Sequence, residues 1–147
     1  MPTVHRSSVI DKRCQIADDA VIGPHCILEG EVTLGPRARL IGQNWIRGPV
    51  TSGEVTTLYP GACVGGPPQH VAIAHDAPNA GVTIGAGVTL REQTTVHASM
   101  GTEKPTALGD RCYLMSSAHV GHDCTLHEDV ILATGCMIAG HCEIFPK

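Results

Sequence analysis

Histidines are concentrated in one stretch of the chain, which runs from residue 114 to residue 141. It holds four of the nine histidines, namely His119, His122, His127 and His141. Imidazole is the side chain best suited to proton transfer near neutral pH, and it is also a common metal ligand. The stretch could therefore support either general acid–base catalysis or metal binding. The fold decides which of these side chains are free to do so.

The same stretch contains the clearest run of a six-residue repeat. Its aliphatic positions are Leu114, Val120, Leu126, Leu132 and Ile138, each with a small or medium residue four places later. The repeat begins at Val4, breaks after Val64 and resumes at Ile84 with a shift of phase. A period of six fits neither a helix nor a simple strand, and it is typical of a parallel β-helix with three hexapeptides in each coil.

We therefore expect an all-β fold in which the coils stack about 4.8 Å apart, with the aliphatic and small residues pointing inward. About seven coils fit residues 1–147, which we interpret as a single hexapeptide-repeat domain. Glycine often follows the inward aliphatic residue, as at Gly23 and Gly121, and we expect these glycines to supply the turns.

Composition excludes several classes of protein. The net charge is −4 and there is no basic stripe, so the sequence indicates no nucleic-acid partner. The start of the sequence has no apolar segment typical of a signal peptide, and no apolar run is long enough for a transmembrane helix, so we expect no membrane insertion. Six of the seven cysteines occupy the small inward position of the repeat, which predicts free thiols and a cytoplasmic protein.

Two segments depart from the repeat and are predicted to project as surface loops. The first is residues 65–83, which is rich in proline and glycine and offers Gln69, His70 and His75 as polar candidates. The second is residues 99–107, which keeps the phase of the repeat but has a polar residue at its core position. Loops on a rigid scaffold often carry binding residues, although an insertion can also be merely tolerated.

Four segments of the sequence resemble a known family. In chain order they read IGPHC at 22–26, LREQTTVH at 90–97, AHVGHDCT at 118–125 and AGH at 139–141. Together they resemble the acyl-[acyl-carrier-protein]–UDP-N-acetylglucosamine O-acyltransferase family, which catalyses the first committed step of lipid A synthesis. The resemblance spans nearly the whole chain and corresponds to the N-terminal portion of a family member.

The resemblance implies a left-handed parallel β-helix that forms a homotrimer with active sites between subunits. It also implies transfer of a (3-hydroxy)acyl group from acyl carrier protein to the 3-hydroxyl of UDP-N-acetylglucosamine, with no cofactor and no metal. By match to the family, His122 is the catalytic base, Asp123 holds it, and the N–H of Gly140 faces the oxyanion. The matching substrate-binding positions are His97, His119, His141, Gln69, Arg91 and Glu92.

Spacing within the repeat gives an independent check on these roles. His122 and Gly140 are three hexapeptides apart, so they should lie in one column on adjacent coils, about 4.8 Å from each other. Asp123 and His141 have the same separation and could pair across coils. His122 is third in its hexapeptide, where a side chain should face outward. His127, His5 and His25 are interpreted as surface residues.

Other functions fit parts of the sequence. A zinc site is the main rival for the histidines, but the spacings of His119, His122 and His127 do not match hexapeptide carbonic anhydrases. Another hexapeptide acyl-CoA transferase and a truncated, non-catalytic trimeric scaffold also fit. The first loop contains no lysine or arginine, although the family has a substrate-contacting lysine there. The family's helical C-terminal domain and nucleotide-binding residues are expected to lie outside this sequence.

Overall fold

The chain forms a three-sided parallel β-helix in the computed structural model, which describes residues 1–146. The described residues form 21 short strands in three parallel sheets of seven strands each. The first sheet contains β1 (Thr3–Val4), β4 (Val21–Ile22), β7 (Arg39–Leu40), β10 (Thr57–Leu58), β13 (Thr89–Leu90), β16 (Tyr113–Leu114) and β19 (Ile131–Leu132). The second contains β2 (Val9–Ile10), β5 (Ile27–Glu29), β8 (Trp45–Arg47), β11 (Cys63–Gly66), β14 (Thr95–His97), β17 (His119–Val120) and β20 (Met137–Ile138). The third contains β3 (Gln15–Ile16), β6 (Val32–Leu34), β9 (Val50–Ser52), β12 (Val82–Ile84), β15 (Thr106–Leu108), β18 (Thr125–Leu126) and β21 (Glu143–Ile144).

This architecture confirms the predicted left-handed parallel β-helix of seven coils. The repeat produces it because neighbouring strand residues point to opposite faces. Leu90 is fully buried, whereas Thr89 beside it faces outward and is half-buried. The small column is equally well buried, with Cys112 and Cys124 both 0% exposed. All seven cysteines are free thiols, as predicted.

The turns differ from the expectation in one respect. Glycines after the aliphatic residue do not supply a left-handed backbone; instead they allow coils to approach closely. A Cβ built on Gly121 would lie 2.7 Å from the backbone nitrogen of Gly140 in the next coil. The left-handed conformation falls two residues later, at ordinary residues such as Asp123 (φ 57°) and His141 (φ 62°).

Both predicted loops exist, and both leave the helix at the same corner. Most paired strands are 18 residues apart, as in the pairing of Thr3 with Val21. The separation rises to 32 residues between Val50 and Val82, and to 24 between Val82 and Thr106. The first loop covers residues 67–81, because strands extend further into the predicted 65–83 segment from each side. The second covers residues 98–105, and both connect the second sheet to the third.

The second loop keeps the phase of the repeat because it adds six residues to a coil of 18. Thr102, at the expected core position, is exposed. Across residues 1–146, no helix has the length and apolar character that crossing a membrane requires.

The aliphatic ladder should dominate stability. Replacement Leu90→Ala removes a fully buried side chain between two coils, and we expect it to lower the free energy of unfolding by about 2–5 kcal/mol. The matched control is Thr83→Ala, an exposed outward position on β12, with an expected change of about 0.5 kcal/mol or less. Urea unfolding of both variants measures this; equal losses would contradict the inward assignment of the aliphatic column.

Candidate active site

His122 and Asp123 form a hydrogen-bonded pair at the corner from which both loops emerge. They occupy the turn between β17 and β18, and the distance from His122 Nδ1 to Asp123 Oδ2 is 2.8 Å. The side chains are 14% and 20% exposed, so His122 points out of the prism yet is largely covered. A carboxylate can only accept, so Nδ1 carries the proton. Nε2 has no hydrogen-bond partner within residues 1–146 and is therefore free to accept one.

The second loop holds the carboxylate of Asp123. The backbone N–H of Met100 donates to Asp123 Oδ2 at 3.0 Å. The Asp123 N–H in turn donates to Thr106 Oγ1 at 2.9 Å, and Thr106 is 0% exposed. Sequence reasoning missed both residues. A signal was present for Thr106, a polar residue in the small inward column, but none was present for the contact made by the backbone of Met100.

A buried serine ties the two loops together. Ser99 is 0% exposed, and its hydroxyl accepts from the N–H of Ala80 in the first loop at 3.1 Å. The same hydroxyl donates to the carbonyl oxygen of Gly101 at 2.9 Å. Near its middle the first loop is held by Arg47, whose Nη1 donates to the His75 carbonyl oxygen at 3.0 Å. The two loops are therefore linked to each other beside Asp123.

Gly140 lies directly against the imidazole of His122, as the 18-residue spacing predicted. A Cβ built on Gly140 would be 2.6 Å from both Cε1 and Nε2 of His122. Only glycine leaves the ring in place and the backbone accessible. No acceptor for the Gly140 N–H occurs within the described part of the chain.

The expected pairing of Asp123 and His141 is loose. Asp123 Oδ2 and His141 Nε2 are 3.9 Å apart, beyond hydrogen-bond range. The His141 ring instead packs edge-on against His122, with a centroid separation of 4.9 Å. Its side chain is 68% exposed, so it borders the site on the solvent side.

His97 and His119 lie on the adjoining outer face of the second sheet. Their rings pack edge to face with centroids 4.8 Å apart, and His119 Nδ1 is 2.8 Å from Thr95 Oγ1. His97 Nδ1 is buried and has no partner within residues 1–146. Burial, together with the nearby imidazoles of His119 and His122, lowers the pKa of His97 to about 4. Burial also lowers the pKa of His119, so both rings are neutral at pH 7.

The remaining substrate-binding candidates lie at different distances from His122. Gln69 is exposed on the first loop, whereas the ring of the next residue, His70, comes within 6.4 Å of the His122 ring. Arg91 and Glu92 lie at a different corner, between β13 and β14, where they pair with each other. Arg91 is held there by the ring of Tyr59 and the hydroxyl of Tyr113.

His127 lies outside the site, as expected. Its Nε2 is 2.8 Å from Glu143 Oε1, and its ring stacks on Phe145 at 4.5 Å. One chain thus brings together His122, Asp123, Gly140 and His141, with His97, His119 and His70 adjoining them. The assembly offers a proton acceptor, a carboxylate that orients it, and a bare backbone N–H on the next coil.

Curated relatives match this chain over nearly its whole length. It is 34% identical over 145 residues to the acyl-[acyl-carrier-protein]–UDP-N-acetylglucosamine O-acyltransferase of Thermodesulfovibrio yellowstonii, covering 98% of this chain and 55% of that protein. It is 31% identical over 147 residues to the protein of the same name from Campylobacter concisus, with the same coverage of 98% and 55%. The chain spans about half the length of the curated relatives it matches. No protein-family model matches it.

Solved structures agree. The UDP-N-acetylglucosamine O-acyltransferase of Moraxella catarrhalis is similar with a TM-score of 0.90 at 29% identity, covering 96% of this chain and 55% of that chain. The UDP-N-acetylglucosamine acyltransferase of Francisella novicida gives a TM-score of 0.93 at 28% identity, covering 97% and 52%.

The contact between Gly140 and His122 predicts a local effect of substitution. Gly140→Ala places a methyl group 2.6 Å from Nε2, so the ring must rotate, and we expect its Nδ1–H bond to Asp123 to be lost. Imidazole NMR signals of His122 report this directly. Gly101→Ala is the matched control, since its added Cβ meets nothing within 4 Å and should leave those signals unchanged. Unchanged His122 signals in Gly140→Ala would contradict the packing.

The lowered pKa of His97 predicts a pH-dependent stability. The unfolded chain takes up this proton near the ordinary pKa of 6.5, but the folded chain does so only near 4. Between these values the unfolded state binds more protons, so the free energy of unfolding falls as the pH falls. Urea unfolding at pH 7 and pH 5 should show a loss that is smaller in His97→Gln by about 1 kcal/mol, because solvent screening of this partly exposed ring reduces the full linkage effect.

The control for this effect is His5→Gln at an exposed position, which should keep the parent's pH dependence. If His97→Gln also loses as much stability as the parent between pH 7 and pH 5, the assignment to His97 is wrong.

Proposed function

The chain belongs to the acyl-[acyl-carrier-protein]–UDP-N-acetylglucosamine O-acyltransferase family, and on that premise we propose that it carries the catalytic centre of such an enzyme. The reaction is transfer of a (3-hydroxy)acyl group from acyl carrier protein to the 3-hydroxyl of UDP-N-acetylglucosamine. One observation carries the proposal: the Asp123–His122 pair has a free Nε2 and lies against Gly140 on the adjacent coil.

His122 acts as the general base. Its Nε2 removes the proton from the sugar hydroxyl while the oxygen attacks the thioester carbonyl carbon. The tetrahedral intermediate then breaks its carbon–sulfur bond, and His122 Nε2 gives its proton to the departing sulfur, so that the carrier leaves as a thiol and His122 is again neutral. Asp123 keeps the proton on Nδ1 and stabilises the imidazolium that forms, as carboxylates do in other histidine-based sites.

Gly140 supplies the oxyanion donor. Its N–H is without a partner in the described chain, and the absence of a side chain lets the thioester reach the backbone. Base and donor lie on consecutive coils, so the parallel ladder that stacks them fixes their separation at about 4.8 Å along the axis. Neither group needs to move during the reaction.

The surrounding side chains bind substrate. His141 and His119 flank the pair, and Gln69 lies on the loop that brings His70 towards it. His97 is half-buried and neutral at pH 7, so the exposed part of its ring can contact a substrate without adding charge. Arg91 and Glu92 are at another corner, so we assign them a substrate contact only across an interface between copies of the chain.

A homotrimer in the cytoplasm completes the proposal. The outer face of the second sheet carries an aligned row that begins with the apolar residues Val9, Ile27 and Trp45 and ends with Met137, with Cys63, Thr95 and His119 between them. Three of these are well exposed, at 64%, 42% and 67% for Val9, Ile27 and Met137. The same row of the third sheet is polar, with Gln15, Thr33 and Thr51. An apolar face of this kind supports association of the second sheets, and the free thiols fit a reducing compartment.

Removal of the base tests the catalytic assignment. We expect His122→Ala to lower the rate of acyl transfer from hydroxyacyl carrier protein to UDP-N-acetylglucosamine by at least about 100-fold, since a positioned base contributes that much or more. His127→Ala is the matched control because His127 pairs with Glu143 outside the site, and it should retain the parent's rate.

The same assay separates the alternatives. Turnover with acyl-CoA but not with acyl carrier protein would assign the chain to another class of hexapeptide acyltransferase. Trimers that show no turnover with either donor would indicate a scaffold without catalysis. Full activity in His122→Ala would refute the role of this residue in any of these enzymes.

A further inference from the structure

Three side chains at the site bring possible metal-ligand atoms close together. His122, Asp123 and His141 each offer a ligand atom, and these atoms all lie within 4.8 Å of one another. They come from adjacent coils, and Gly140 between them adds no side chain. The acyl-transfer proposal uses the pair of His122 and Asp123, but it does not require His141 Nε2 to approach Asp123 Oδ2 to 3.9 Å.

The separations suit a small divalent transition metal. Ligand atoms about 2.05 Å from a tetrahedral ion are roughly 3.3 Å apart. The pair His122 Nδ1–Asp123 Oδ2 is 2.8 Å apart, and the pair His141 Nε2–Asp123 Oδ2 is 3.9 Å apart, so the two observed separations bracket the required one. Changes of about half an ångström in these two separations would satisfy both, and the ligand atoms of His122 and His141 lie within 4.8 Å of each other.

The chemistry of the donors is also appropriate. Two imidazoles and one carboxylate, with a fourth position left to water, are a ligand set that zinc accepts. The Met100 N–H already orients Asp123 Oδ2, as partners of metal ligands commonly do. His141 is 68% exposed, which gives an ion direct access from solvent.

We propose that His122, Asp123 and His141 form a zinc-type metal site whose occupation inhibits the enzyme. The ion replaces the proton on His122 Nδ1 and bridges to His141, so the base can no longer be oriented by Asp123. The metal site is inferred from the distances between the ligand atoms, whereas the inhibition rests on the proposed function.

Cobalt binding tests the site without reference to activity. Co²⁺ takes the same ligands as zinc and has visible absorption bands that report its coordination. The full chain titrated with Co²⁺ should develop these bands, and zinc should displace them. His141→Ala should weaken the apparent affinity at least about tenfold, because loss even of a partner of a metal ligand costs that much. His127→Ala removes a histidine paired with a carboxylate but lacking a third donor, and should bind as the parent does.

Three results would overturn the site: no cobalt spectrum, equal affinity in His141→Ala, or a near-ultraviolet thiolate band that places the ion on cysteine. Thermal unfolding of each variant identifies a loss of binding that is due to misfolding. If His141→Ala unfolds, Asp123→Asn provides the second variant with the same expected loss of affinity.

Inhibition is tested separately. Zinc at concentrations that fill the cobalt-calibrated site should stop acyl transfer, and a chelator should restore it. Turnover that continues with the site filled refutes the inhibitory role. A chain with no turnover under any condition bears on the proposed function, while the cobalt titration still decides the metal site.

Discussion

The hydrogen-bonded stacking of one coil on the next is the constraint on which the rest of the molecule depends. In coils without a loop, it places each residue beside the residue 18 positions later, as with His119 and Met137 in adjacent strands of the second sheet. Within a coil the hexapeptides have no core of their own. Burial of Leu90, Leu114 and Val120 is achieved only because each coil covers its neighbours. The same stacking turns a sequence interval into a fixed distance, and so it brings Gly140 against His122.

The two loops lengthen individual coils, but the strands on either side of them still pair. The first loop shifts the phase of the sequence repeat and the second does not, yet the strands that follow both loops stay in register, so Val82 pairs with both Val50 and Thr106. Both emerge at the corner between the second and third sheets. The backbone of the second loop contacts Asp123 through the N–H of Met100, and Ser99 links the first loop to the second. A rigid scaffold thus provides the catalytic pair, and irregular segments provide its surroundings.

The features that depend on the six-residue repeat could be predicted from the sequence. The fold, the inward cysteines and the contact between His122 and Gly140 all follow from the positions of residues in the period of six. Contacts that depend on the path of a loop could not be found in this way. The approach of His70 to His122 and the hydrogen bond from Met100 to Asp123 could not be predicted from the sequence, because neither loop follows the repeat. The prediction that glycines supply the turns was wrong, because a glycine in the sequence can indicate either a left-handed backbone or a close approach of two coils.

The left-handed backbone at the site comes from the scaffold and not from the function. Asp123 and His141 both have positive φ, which in an isolated loop would point to function. Within residues 1–146, however, all ten non-glycine residues of this kind occupy the fourth position of a hexapeptide, including Arg37 and Val55, which lie far from the site. The conformation is therefore a recurrent feature of the corners and not a mark of the site. What distinguishes the corner at Asp123 is the identity of its side chains and the loops beside it, so its chemistry was added to a turn that the fold already required.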